Sequence, residues 1–164
     1  MITKEWISLT EEQKKIILKH QFSAPIKLGE IAKDFGLVVK IATLPADISG
    51  EIKEINNTVI IKVNRHDVKA RRRYTLAHEI AHFLLHRHLL GQGISDDILY
   101  RSSQSDEIEA EANRLASDII MPMKLVEEII KKHYKGKKDA ELYEATAEEL
   151  EVSTTALKIR LGVK

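Results

Sequence analysis

The chain contains no cysteine, which removes disulfide staples, thiolate zinc ribbons and a cysteine nucleophile from consideration. Any metal it binds must therefore be held by histidine and carboxylate side chains. An excess of one charge sign is lacking too: the formal net charge is +1, so no overall field demands nucleic acid, an anionic membrane or a strongly acidic substrate as partner. No stretch approaches the apolar length needed to span a bilayer. The opening residues MITKEWISLTEEQKK are charged throughout and lack the apolar centre of a signal peptide. With no disulfides either, a cytoplasmic location without a membrane partner is the expectation.

What remains is an ordinary globular composition, 43% apolar and 31% charged with both signs interspersed over 164 residues. That length suits one hydrophobic core and is short for two, so a single domain over residues 1–164 is expected, with a helical tail from about residue 123 packed on it.

Local patterns predict an α+β fold. Trp6 to His20 reads as a helix after a Ser8/Thr10 start signal, and Lys27 to Phe35 as a shorter one stopped by Gly36. The period then changes to that of strands: Leu37 to Leu44, Ile48 to Ile55 and Thr58 to Val63, with Asn56-Asn57 as a turn. These make a three-stranded meander, expected to be antiparallel, with Thr58 to Val63 as an edge that an extended peptide could join. From a cap at Asp67 the pattern is helical through Leu90, apolar almost all round, and ended by Gly91 and Gly93. The stretch GQGISDDILYRSSQS reads as loop. Asp106 with Glu109 three residues on is a capping signature for a helix to about Ile120. Helical pieces follow at Leu125 to His133, Ala140 to Leu150 and Thr155 to Leu161.

His78-Glu79-Ile80-Ala81-His82 carries the chemistry. Two imidazoles four residues apart project from one helix face and can bite one zinc ion, while Glu79 is turned aside by about 100° and can serve as the base. A catalytic zinc needs a third protein ligand, and without cysteine a glutamate of the next helix is the natural source. Glu107, Glu109 and Glu111 compete. Glu109 has Asn113 one turn later on the same face, placed to accept from the free ring nitrogen of a liganding histidine; Glu111 is the fallback.

Two segments, RRRYTLAHEIAHFLLH at Arg71 to His86 and EAEANRLASDIIMP at Glu109 to Pro122, resemble the ImmA/IrrE metallopeptidases. Those have approximately R-x-R-F-T-x-A-H-E-x-x-H in the first and E-x-E/Q-A-N-x-F-A-x-x-L-L-M-P in the second. The chain departs at Tyr74, Leu115 and Ile119-Ile120, exchanges that leave the chemistry intact. The resemblance covers roughly Pro25 to Pro122. It implies a minimal zincin-like domain with a small sheet on a buried metal helix, zinc as cofactor, ligands His78, His82 and Glu109, and Glu79 as base. It also implies an endopeptidase acting on a regulatory protein, typically a helix-turn-helix repressor of a mobile element or stress response. The rival reading is a catalytically quiet zinc-fold module, such as a toxin–antitoxin partner, that works by docking.

Other residues have quieter readings. His86 reads as a helix-end histidine favourable to the macrodipole. His66, Tyr100 and Arg101 could line a substrate cleft, although exposed loop positions explain them as well. Arg71, Arg72 and Arg73 sit where the macrodipole disfavours them and should meet carboxylates. The tail looks like a helix-turn-helix fragment with Val152-Ser153 at its turn. From Asp139 to Lys164, however, six acidic residues face three basic ones, the reverse of what phosphate contacts want.

Overall fold

A computed structural model of the chain describes residues 2–97, 100, 102 and 104–163. The first helical stretch is two helices, α1 (Lys4–Ser8) and α2 (Glu11–Leu18). Thr10 divides them with a reciprocal capping box: its hydroxyl accepts from the Gln13 N–H at 3.1 Å, and the Gln13 side chain accepts from the Thr10 N–H at 2.9 Å. Helix α3 (Leu28–Asp34) ends in a Schellman motif, with Gly36 at φ +76° and the Leu37 N–H reaching the Ala32 carbonyl.

The strands are β1 (Val38–Ala42), β2 (Ile48–Ile55), β3 (Thr58–Asn64) and β4 (Ile94–Asp97). Their order is β1-β3-β2-β4. Strands β2 and β3 form the expected hairpin, and Asn56 and Asn57 both take positive φ, the requirement of a type I′ turn. Two expectations are corrected. Strand β1 skips its neighbour in sequence and pairs in parallel with β3, so the sheet is mixed and Thr58–Asn64 is interior rather than an edge. Strand β4 arises from the polar stretch read as loop, and pairs antiparallel with β2 through a register shift between Ile48 and Gly50.

Helix α4 (Lys69–Leu85) follows β3 and buries Thr75 together with Ala77 to His82. Asp67 is not its cap: Val68 holds that position without a side-chain hydrogen bond. Nor does it reach Leu90, because the chain turns at His86 into a 3-10 turn at Arg87–Leu89. The helix lies against β2 at Gly50. A Cβ built there would stand 2.4 Å from the Thr75 methyl and 2.7 Å from Oε2 of Glu79, so only glycine permits this approach.

Helix α5 (Asp106–Ile120) starts from Ser105, whose hydroxyl accepts from the Ile108 N–H. The cap is thus one residue earlier than Asp106, which leaves the Glu109 carboxylate free of capping duty. Beyond it come α6 (Met123–His133), α7 (Asp139–Leu150) and α8 (Thr154–Leu161). Both ends of the chain fasten on α5. Glu5 of α1, 3% exposed, pairs with Arg114 through two bonds of 2.9 Å, and Arg160 of α8 meets Asp118 at 2.9 Å. Buried Leu115, Ala116 and Ile119 of α5 and Ile80 and Ala81 of α4 belong to one apolar core. Among the described residues no helix is long and apolar enough to cross a membrane.

The Gly50 contact generates a stability prediction. Gly50→Ala lowers the free energy of urea unfolding by about 1–3 kcal/mol through overpacking. Adding Thr75→Ser, which removes the nearest methyl, recovers part of the loss. A Gly50→Ala chain as stable as the parent contradicts the packing described.

Candidate metal centre

The helical spacing of His78 and His82 turns both Nε2 atoms of α4 toward the same point. Oε1 of Glu109, from α5, lies 3.0 Å from Nε2 of His78 and 3.3 Å from Nε2 of His82. Oδ2 of Asp96, from β4, lies 3.6 and 3.7 Å from the same nitrogens. One donor atom from each residue falls within 4.8 Å of all the others. A tetrahedral ion with bonds near 2.0–2.1 Å separates its ligands by roughly 3.3–3.4 Å. The observed separations bracket that value.

Burial supplies a second test of fit. His78, Glu79, His82 and Asp96 are 0% exposed and Glu109 is 4% exposed. Among the described residues, no hydrogen-bond partner reaches either oxygen of Glu79 or of Asp96. Buried carboxylates without compensation are costly, and a divalent cation at the point the donors share removes that cost. Without one, protons must redistribute. Burial would lower the His78 pKa, but Asp96 and Glu109 outweigh it and push the pKa up to about 9. Burial, then the negative charge of Asp96, raises Glu79 well above the usual carboxylate range. Burial would raise Asp96 as well, yet His78 and His82 hold it below its ordinary value. The donor set fits a divalent metal, and zinc is the ion most often held by such a group of imidazoles and carboxylates.

The outer hydrogen bonds fix which ring nitrogens face inward. Asn113 Oδ1 lies 2.9 Å from Nδ1 of His78; an amide oxygen only accepts, so the proton sits on Nδ1 and Nε2 keeps its lone pair. His82 Nδ1 lies 3.0 Å from Nδ1 of His86, whose Nε2 lies 2.9 Å from Oε1 of Glu111. The carboxylate must accept, so His86 donates from Nε2, accepts at Nδ1, and leaves the Nε2 lone pair of His82 turned inward. Burial lowers the His86 pKa, which suits a neutral ring in this relay. Ser102 donates to the second oxygen of Glu109 at 3.1 Å.

The structure therefore brings His78, Glu79, His82, Glu109 and Asn113 together. Glu111 is turned to His86 instead, and Glu107 is exposed. Tyr100, at φ +55°, sets its ring 5.0 Å from that of His78 and its hydroxyl 3.0 Å from Thr75 Oγ1. Burial pushes its phenol up to about 12, so it stays protonated. His66 is exposed in the turn before α4, where its N–H bonds Asn64, and Arg101 lies outside the described residues. Arg73 has a structural partner, donating to the Ile26 carbonyl at 2.9 Å and lying 3.6 Å from Glu151. Sequence reasoning missed two residues. Asp96 was hidden in a stretch read as loop. His86 does close helix α4, as read; the role missed is its hydrogen bond to His82, which the four-residue spacing permits.

Residues 32–162 match the family model Peptidase_M78, described as the IrrE N-terminal-like domain. No curated protein matches the chain. A solved structure of a Mycobacterium tuberculosis transcriptional regulator superposes with a TM-score of 0.60 at 16% identity, covering 93% of this chain and 46% of that one. The likeness is one of fold, and this chain spans less than half the length of that regulator.

If His86 orients His82, His86→Ala weakens zinc binding about 10–100-fold, the usual cost of losing such a partner. Competition with a chromophoric chelator measures it; unchanged affinity in a folded variant refutes the relay.

Proposed function

The chain belongs to the IrrE N-terminal-like domain family of peptidases, and from that premise we propose that it is a zinc-dependent endopeptidase that hydrolyses a specific regulatory protein. A helix-turn-helix repressor of a mobile element or stress response, met in the cytoplasm, is the substrate we favour. The proposal treats residues 1–164 as one zincin-like domain. The fastening of α1 and α8 to α5 supports this. The observation that carries the functional reading is Glu79: a fully buried carboxylate without a hydrogen-bond partner among the described residues, next to two imidazoles whose lone pairs converge with Glu109. Nothing in the packing accounts for a carboxylate there, whereas a general base must stand there.

In this reading His78, His82 and Glu109 hold the ion, with Asn113 orienting His78. Bound zinc supplies Lewis-acid chemistry, lowering the pKa of water to about 7 and polarising the scissile carbonyl. Glu79 takes the proton of the attacking water and returns it to the leaving amine. Tyr100 lines the cleft as a protonated phenol held by Thr75. Because β3 is interior, peptide addition falls to an edge of the sheet, and β4 is the edge that borders the centre.

One observation favours the rival docking module: Asp96 offers a fourth protein donor, and four donors leave a tetrahedral ion no open position. Glu79→Gln separates the readings. Co-expressed with the proteins encoded beside its gene, the zinc-loaded parent cleaves one of them. Glu79→Gln keeps its zinc and cleaves about 10²–10⁴-fold more slowly, the contribution of a positioned base. If the partner disappears as quickly with Glu79→Gln, hydrolysis is not the mechanism.

A further inference from the structure

Asp96 is the member of the cluster that peptide hydrolysis does not need. Three protein ligands and an open position make a catalytic zinc site; a fourth protein ligand closes it. Yet the side chain is wholly buried, its oxygens have no hydrogen-bond partner among the described residues, and Oδ2 is nearly equidistant from both Nε2 atoms. Its partner across the sheet is Gly50, where a Cβ would stand 2.7 Å from Oε2 of Glu79. Asp96 therefore adjoins both the point where the donors converge and the base, the place an attacking oxygen would have to take.

The local backbone explains the aim. Strand β4 has four residues and, among the described residues, pairs on one side only, with β2. Its burial alternates, with Ile94 and Asp96 inward and Ser95 outward. Asp96 sits opposite Gly50, beside the register shift from Ile48. Irregularities of this kind re-aim side chains at functional sites, and the absence of a side chain at Gly50, opposite Asp96, leaves space for Thr75 and Glu79. A carboxylate at an inward strand position costs stability relative to an apolar residue, so packing does not account for it. A short edge strand opens at lower cost than the interior strands of its sheet.

We propose that Asp96 is a self-inhibitory fourth ligand: in the resting chain it closes the coordination sphere of the bound metal, and the centre opens to a peptide carbonyl only when the end of β4 carries Asp96 away. The inference rests on the peptidase reading of the same centre. It makes the resting chain quiet without making it inactive. It also assigns the free edge of β4 a role, since a partner that pairs there acts on the strand that holds the plug.

The test uses the cobalt-substituted full chain and acetohydroxamate, a small ligand that needs a vacant position on the metal, read by visible absorption. The parent holds one equivalent of cobalt through all four side chains, and Asp96→Ala and the isosteric Asp96→Asn each hold one equivalent through the remaining three. The two variants bind acetohydroxamate at least about tenfold more tightly than the parent, because a site open for a tenth of the time loses that factor in apparent affinity. Cleavage of the partner protein at low concentration rises by a similar factor. Equal hydroxamate affinity in all three proteins overturns the proposal, whatever the peptidase assay shows. So does loss of the metal from both variants while their circular dichroism stays that of the parent, because Asp96 is then an obligatory structural ligand. Tighter hydroxamate binding in the variants with no cleavage by any of the three leaves the plug standing and removes the peptidase reading.

Discussion

Charge sealed away from water is the constraint on which the rest of this structure depends. Glu79, Asp96 and Glu109 are enclosed with two imidazoles where solvent cannot screen them. Carboxylates so placed cost several kcal/mol each unless something of opposite charge joins them. Protonating His78 and Glu79 is a partial remedy, and the raised pKa values of both groups express it. A divalent cation at the shared point is the complete one. A metal held there would couple its binding to core formation, so that the centre would belong to the folding energetics as well.

Each contributor to the centre comes from a different kind of element, and each is aimed by its own local device. Helical periodicity sets the two imidazoles on α4, and the amide of Asn113 and the ring of His86 settle their tautomers. The Ser105 cap starts α5 so that Glu109 faces inward, and Ser102 holds its outer oxygen. Gly50 lets α4 come close enough to the sheet for Glu79 to fit, and the adjoining irregularity turns Asp96 the same way. The ion pairs of Glu5 and Arg160 then hold α5 from both chain ends. Rigid supports of this kind keep the donors in register without demanding unusual backbone from α4 or α5.

Local signals in the sequence were read well where a short-range rule governs. The four-residue spacing of His78 and His82, the Asn56-Asn57 turn and the Gly36 stop all act within one or two turns of chain, and the corresponding elements are present. Apart from the Asp67 cap and the Leu90 end of α4, which were local misreadings, expectations failed where the deciding partner is distant. Strand period marks Val38–Ala42 as a strand but says nothing of its neighbour, so the parallel pairing with β3 was invisible. Strand β4 has only Ile94 as an inward apolar residue, and its existence depends on β2 offering a free edge. Asp96 was lost with it. The capping signature was misplaced by one residue because Ser105 and Asp106 are both competent caps, and geometry alone chose the serine.

The central claim is that two imidazoles of α4 and carboxylates from separate elements share one cation. Zinc-edge X-ray absorption on the zinc-loaded chain addresses it most directly. The account predicts one zinc per chain in a four-coordinate shell of nitrogen and oxygen at about 2.0–2.1 Å, with the outer scattering of two imidazoles. A shell without imidazole scattering, or a chain that stays zinc-free in excess metal, would contradict it.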